Sequence, residues 1–316
     1  MPKWTANDIP DQSGRTVLIT GANSGLGLAA AGLLAGRGAR VLMACRSPER
    51  GETALATVTA RAADGGTAEL VRLDLADLGS IHEAAKDIRT RTGDRLDVLM
   101  NNAGVMMTPK QRTADGFELQ FGTNHLGHAA LTWLLMPALR GGPGARVVTV
   151  SSPAARPGHV DLADPNFERR TYLPSTAYCQ AKLANLLFAL ELDRHAGRAG
   201  MDLVSLAAHP GYTATSLVTN MARSRGRGPM ATAISFFGGL GDRLLGQHVR
   251  IGVLPQVYAA TVAGVRGGEY YGPDGLLEMR GHPRRVSIPR AGQDAELAAR
   301  LWDRTAELTK VDPDPA

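Results

Sequence analysis

A chain of 316 residues with 44% apolar and 21% charged residues can bury a substantial core, which excludes global disorder. The formal charge of +5 is modest, and the arginine groups at 223–227 and 280–290 come with no nucleic-acid motif, so they read as solvated surface. Cys45 and Cys179 lie far apart, and neither an N-terminal apolar h-region nor a run of about 18 apolar residues occurs; the expectation is a cytoplasmic chain with no disulfide framework, no metal site and no membrane span.

From the N-terminus, strand and helix signals alternate. Residues 15–20 (RTVLIT) form an apolar run ending in a Gly-rich turn, and 26–38 read as a helix. Further strands are expected at 39–46, 68–75, 96–104, 145–152 and 201–211, with helical stretches between them, the longest around FELQFGTNHLGHAALTWLLMPAL. Runs apolar on both faces, joined by helices, imply a parallel sheet covered on both sides. The predicted fold is therefore α/β: one Rossmann-type, doubly wound domain over 1–316, with its motifs within 13–215. Residues 216–250 mix short apolar pieces with Gly, Arg and Pro after the carboxyl end of a strand, and are predicted to form a substrate lid. A helix (VLPQVYAATVAG), a last strand (GEYYG) and a terminal helix complete 251–309.

The turn after the first strand is TGANSGLG, residues 20–27. Gly21, Gly25 and Gly27 allow close approach of backbone to a pyrophosphate, and the helix N-terminus that follows favours negative charge. Asn23, Ser24 and Leu26 belong to the same loop. The second strand ends ACRSPERGE, with Arg46 and Ser47 where a carboxylate would select a ribose 2′-hydroxyl. A guanidinium suits a 2′-phosphate, so NADP(H) is expected over NAD(H).

Residues 177–192, AYCQAKLANLLFALEL, are predicted to be a helix in which Tyr178, Lys182 and Asn185 fall within one narrow arc at about 100° per residue. Cys179, Leu183, Leu186, Leu187 and Leu190 form the neighbouring stripe, expected to bury the helix and make Cys179 an inert thiol. Taken alone, a Tyr and a Lys four apart are more often an exposed pair than a proton-transfer pair.

The ordered series TGANSGLG, LDL, NNAG, TNHLGH, VVTVSS, YCQAK and HPG resembles the short-chain dehydrogenase/reductase family over about residues 13–215. ARVLMACRSPERGE and AYCQAKLANLLF are similar to its retinol dehydrogenase-like branch, which includes the WW-domain oxidoreductase and favours NADP(H). The resemblance implies a catalytic tetrad of Asn124, Ser152, Tyr178 and Lys182. It also puts Asp74 and Leu75 beside the adenine and Asn102, Ala103 and Gly104 beneath the cofactor. Pro210, Gly211, Thr213 and Thr215 would follow along the nicotinamide, with Tyr178 and Lys182 joining the cofactor set. Pro153 after the catalytic serine and a long gap from Ser152 to Tyr178 depart from compact family members.

Reducing a carbonyl by hydride transfer leaves an alkoxide that needs a proton. Tyr178 would supply it, Lys182 would lower its pKa, Ser152 would orient the carbonyl and Asn124 would hold a water in the relay. The expected partner is a small carbonyl or alcohol substrate, bulky and apolar, with homo-oligomerisation left open. The alternatives are reduction of a C=C bond on the same residues, or a non-catalytic NADPH sensor. His125 and His128, three apart, read as packed or solvated residues rather than metal ligands.

Overall fold

Strand β1 (Thr16–Thr20) is buried from Val17 onward. Val17 and Ile19 pack into one layer and Leu18 into the other, as the period-two pleat requires of a strand covered on both faces. β2 (Arg40–Cys45), β3 (Thr67–Arg72), β4 (Val98–Asn101), β5 (Ala145–Val150), β6 (Leu203–Ala208) and β7 (Tyr270–Pro273) join it in parallel, in the order β3-β2-β1-β4-β5-β6-β7. An eighth strand, β8 (Pro283–Arg285), runs antiparallel along β7 and was not expected, because three residues reading PRR carry no apolar alternation. The computed structural model describes residues 3–212 and 247–315. Thr213, Thr215 and nearly all of the expected lid lie outside the described residues.

Helix α1 (Gly25–Ala35) follows β1 and α2 (Pro48–Thr59) follows β2. α1 and α6 (Leu254–Thr261) cover one face, together with Val41, Met43, Val98 and Leu206. α3 (Leu78–Thr92), α4 (Gly127–Leu134), α5 (Pro174–Arg198) and α7 (Ala295–Thr309) cover the other, around Leu42, Leu99, Trp133 and Phe188. The direction of winding reverses between β1 and β4, which opens a crevice beyond their carboxyl ends.

α5 departs from the amphipathic reading. Every residue from Gln180 to Leu192 is buried, Lys182, Asn185 and Glu191 included. One side lies on the sheet, and α7 closes the other, with Trp302 stacked on Phe188 at 5.5 Å and on His195 at 4.5 Å. Cys179 is only partly buried, and burial pushes its thiol up, in keeping with an unreactive cysteine.

Candidate active site

The crevice at the β1/β4 reversal is lined by Gly21, Asn23, Ser24, Gly25, Leu26 and Gly27 from the loop, and by Arg46 and Ser47 from the end of β2. Asp74 and Leu75 after β3, and Asn102, Ala103 and Gly104 after β4, complete its walls. The loop is tight because nothing larger fits: a Cβ on Gly27 would lie 2.4 Å from the Gly21 carbonyl oxygen, and Gly21 itself has a φ of 68°. Ser24 precedes α1 without a side-chain cap, so the N–H groups of the first turn are left for an anion.

Arg46 is 73% exposed at the mouth, its Nε 4.0 Å from the Asp74 carboxylate. Ser47 caps α2 by accepting the Arg50 N–H at 3.4 Å. Arg50 also lines the crevice; four residues beyond Arg46 and in the first turn of α2, it is a second guanidinium that sequence reasoning passed over. Thr123, likewise not foreseen, lines the inner wall, and its buried hydroxyl has no partner among the described residues. The glycine cradle, open helix terminus, two guanidinia and orphaned hydroxyl together fit a dinucleotide.

The floor is fixed from beneath. Asn102 donates through Nδ2 to the Thr20 carbonyl at 2.7 Å and accepts from Gln256 of α6 at 3.1 Å. The Thr20 hydroxyl accepts the backbone N–H groups of Asn102 and Ala103, both at 2.9 Å.

At its inner end, Gly104 meets the proposed proton-transfer residues. A Cβ there would lie 3.1 Å from Asn124 Oδ1 and 3.6 Å from Lys182 Nζ. Asn124 sits in a π-turn, Gly122–Leu126, an irregularity that recurs at functional sites. Its amide is held at both atoms by one residue: Oδ1 accepts the Val105 N–H at 2.8 Å and Nδ2 donates to the Val105 carbonyl at 2.9 Å.

Ser152 lies just beyond β5, caps the short 3₁₀ turn at Pro153–Ala155 by accepting the Ala154 N–H at 3.2 Å, and stands near the Tyr178 hydroxyl. Ser151 instead bonds the Lys182 carbonyl at 2.7 Å, a structural bond inside the core. Burial pushes Tyr178 up to about 12, and the nearby Ser152 hydroxyl pulls it back only in part. Lys182, pushed down to about 8 by burial, donates to the Val150 carbonyl at 3.0 Å, with Nζ 5.9 Å from the Tyr178 ring centre.

Pro210 and Gly211 stand apart from the crevice wall, in a turn held by other loops. The Pro210 carbonyl accepts from Gln247 at 2.6 Å, and the Gly211 N–H donates to His209 Nδ1 at 3.2 Å. His125 and His128 are buried, held down to about 3 and about 4 by burial, and bonded to Thr305 and Thr20 respectively. No cluster of three or more metal-ligating side chains occurs among the described residues. Nor is any described helix long and apolar enough to cross a membrane.

The sequence profile of the short chain dehydrogenase family matches residues 15–226. Retinol dehydrogenase 13 of Homo sapiens is 38% identical over 311 residues, covering 95% of this chain and 86% of the relative. Polyprenol dehydrogenase of Mus musculus is 37% identical over 307 residues, covering 95% and 85%. A crystal structure of an uncharacterised protein from Mycobacterium paratuberculosis superposes with a TM-score of 0.79 at 41% identity, covering 98% of this chain and 99% of that one.

Proposed function

Because the chain belongs to the short-chain dehydrogenase/reductase family, and is an oxidoreductase of CH–OH and C=O groups, we propose that it uses NADP(H) to interconvert an alcohol with its aldehyde or ketone. We take the substrate to be long and apolar. Two relatives carry the names of retinol and polyprenol dehydrogenases, and both of those compounds are long apolar alcohols. The preference for NADP(H) is supported by Arg46 and Arg50 at the crevice mouth, where two guanidinia would hold a 2′-phosphate.

The observation that carries the reading is the meeting of Ser152, just beyond the end of β5, with Tyr178 of α5, near enough to lower its pKa, and with Lys182 one helical turn on. A reduced nicotinamide bound in the crevice would supply the hydride. Ser152 donates to the carbonyl oxygen and holds it against Tyr178, stabilising the charge that develops there. With its hydroxyl held to about 12, Tyr178 is protonated at neutral pH, the state a proton donor needs for reduction. Lys182 keeps a positive charge beside it below about pH 8 and repels any second cation. Asn124 fixes the Val105 backbone and so the position of Gly104 between cofactor floor and ammonium.

The test is NADPH oxidation over aldehydes and ketones of increasing apolar length, with Tyr178→Phe as control. Turnover that grows with chain length and vanishes in the variant is expected. A Tyr178→Phe enzyme as fast as wild type would remove the proposed proton donor.

A further inference from the structure

We infer that His128 is a positioning residue of the proton-transfer site, tying the Asn124 carbonyl to the cofactor floor through Thr20; this rests on the oxidoreductase reading of that site. His128 lies on α4, 1% exposed, one turn after Asn124. Its Nδ1 is 2.8 Å from the Asn124 carbonyl oxygen and its Nε2 2.9 Å from the Thr20 hydroxyl.

The hydrogen positions follow from donor and acceptor chemistry. A carbonyl oxygen only accepts, so Nδ1 carries the proton. The ring is neutral, because it is buried near the Lys182 ammonium, so Nε2 is an acceptor. Thr20 must then donate its single proton to His128, and its lone pairs take the N–H groups of Asn102 and Ala103 at 2.9 Å each. The alternative acceptor for Thr20, the Met100 carbonyl, is farther off at 3.3 Å. The bonds of the node run in one direction: floor N–H groups to Thr20, Thr20 to His128, His128 to Asn124.

The node joins two functions. On one side Thr20 sets the height of Asn102 and Ala103, on which the cofactor would rest. On the other, His128 holds Asn124, whose amide holds Val105 and stands close to Gly104 and so to Lys182. Both ring nitrogens of this buried histidine are satisfied, one by the turn that carries Asn124 and the other across to β1, so the ring links the two elements.

Two substitutions separate the halves. The short amide of His128→Asn can reach the carbonyl one turn back but not Thr20. The longer His128→Gln can reach Thr20 and gives up the carbonyl. His128→Asn is expected to keep kcat within about threefold while weakening NADPH binding about fivefold to tenfold, the worth of one hydrogen bond. His128→Gln is expected to do the reverse, and His128→Leu to lose both. NADPH affinity is read by its fluorescence on binding, independently of any substrate.

Nitrogen NMR of the wild-type imidazole gives a second, activity-free reading: His128 should carry its proton on Nδ1. Variants that merely melt earlier, with kcat and NADPH affinity unchanged, overturn the inference, and so does a proton on Nε2. If wild type binds no nicotinamide cofactor, the oxidoreductase reading fails first, and the tautomer still decides for or against the node.

Discussion

The ammonium of Lys182 donates to the Val150 carbonyl at 3.0 Å from a residue only 4% exposed, with no carboxylate bonded to it among the described residues. Asn185 donates to the same oxygen at 3.1 Å. Burial lowers the lysine from 10.5 to about 8. The unfolded chain therefore binds the extra proton more readily between those values, and stability rises with pH across that window. Below pH 8 the full cost applies, on the order of 3 kcal/mol at about 1.36 kcal/mol per unit. Lys182→Met removes that cost and one hydrogen bond worth about 1 kcal/mol, while Asn185 keeps Val150 satisfied. The variant is expected to melt a few degrees higher than wild type at pH 7, with the gap closing between pH 8 and 10.5, and to be nearly inactive. A variant that melts lower at pH 7 would mean that the buried charge is net stabilising.

Tyr178→Phe and the pH profile test the other half of the pair. General acid catalysis by one side chain contributes about 10²–10⁴-fold, so the substitution is expected to lower kcat/KM for reduction by that factor. In wild type, kcat/KM should decline above about pH 8, where Lys182 loses its proton, and not at the higher value of Tyr178. The profile of Lys182→Met, assayed with enough enzyme to see residual turnover, should lack that decline.

What the sequence made legible was local. The apolar strand runs, the glycine turn and the Tyr/Lys spacing depend on residues a few positions apart, and the crevice brings the expected loop, Arg46, Asp74 and Asn102 to one place. Contacts across the chain were not legible. Gln256 reaches Asn102 over 154 residues, and Arg156 and His209 meet at Glu278, 69 residues beyond the histidine. Lys182 and Asn185 of the predicted polar row are buried against β5, while α7 packs on Leu183, Leu187 and Phe188, and nothing within 177–192 says what lies opposite either side. Thr20 and His128 could have been suspected from polarity alone: Thr20 ends an apolar strand, and His128 shares a helical turn with Asn124.

Arg46 predicts cofactor choice. Its guanidinium is 73% exposed, so its contribution falls with salt. Arg46→Asp replaces attraction by repulsion at the crevice mouth. A charge-assisted bond is worth about 1.5–3 kcal/mol, so KM for NADPH should rise by about tenfold to hundredfold while KM for NADH stays flat or falls. In wild type, KM for NADPH should climb more steeply with ionic strength than KM for NADH. A wild type that prefers NADH at low salt would reverse the assignment, and Arg50→Ala would then be expected to change nothing.

Glu278 predicts an acid-sensitive clamp. It follows Leu277 with both residues in the left-handed region, φ 57° and 52°, a conformation that costs about 1–3 kcal/mol per non-glycine residue unless its surroundings enforce it. The enforcement is visible. Its carboxylate accepts His209 Nε2 at 3.2 Å and Arg156 at 2.7 Å, while His209 Nδ1 accepts the Gly211 N–H and so leaves the ring proton on Nε2. The next residue, Met279, accepts the Tyr212 N–H at 2.8 Å, which ties this turn to the one carrying Pro210 and Gly211. The His209 bond, with Arg156 beside it, holds the Glu278 carboxyl down to about 2 against burial, which raises it. A carboxylate lowered in the folded state stabilises fully above its usual 4.5, and that contribution is lost as pH falls toward 2. Glu278→Gln keeps the shape and removes the charge. It is expected to melt below wild type at pH 7, with the difference shrinking between pH 4.5 and pH 2. A difference that stays constant across that range would assign the clamp to shape and the hydrogen bonds of a neutral side chain, with no share for the charge.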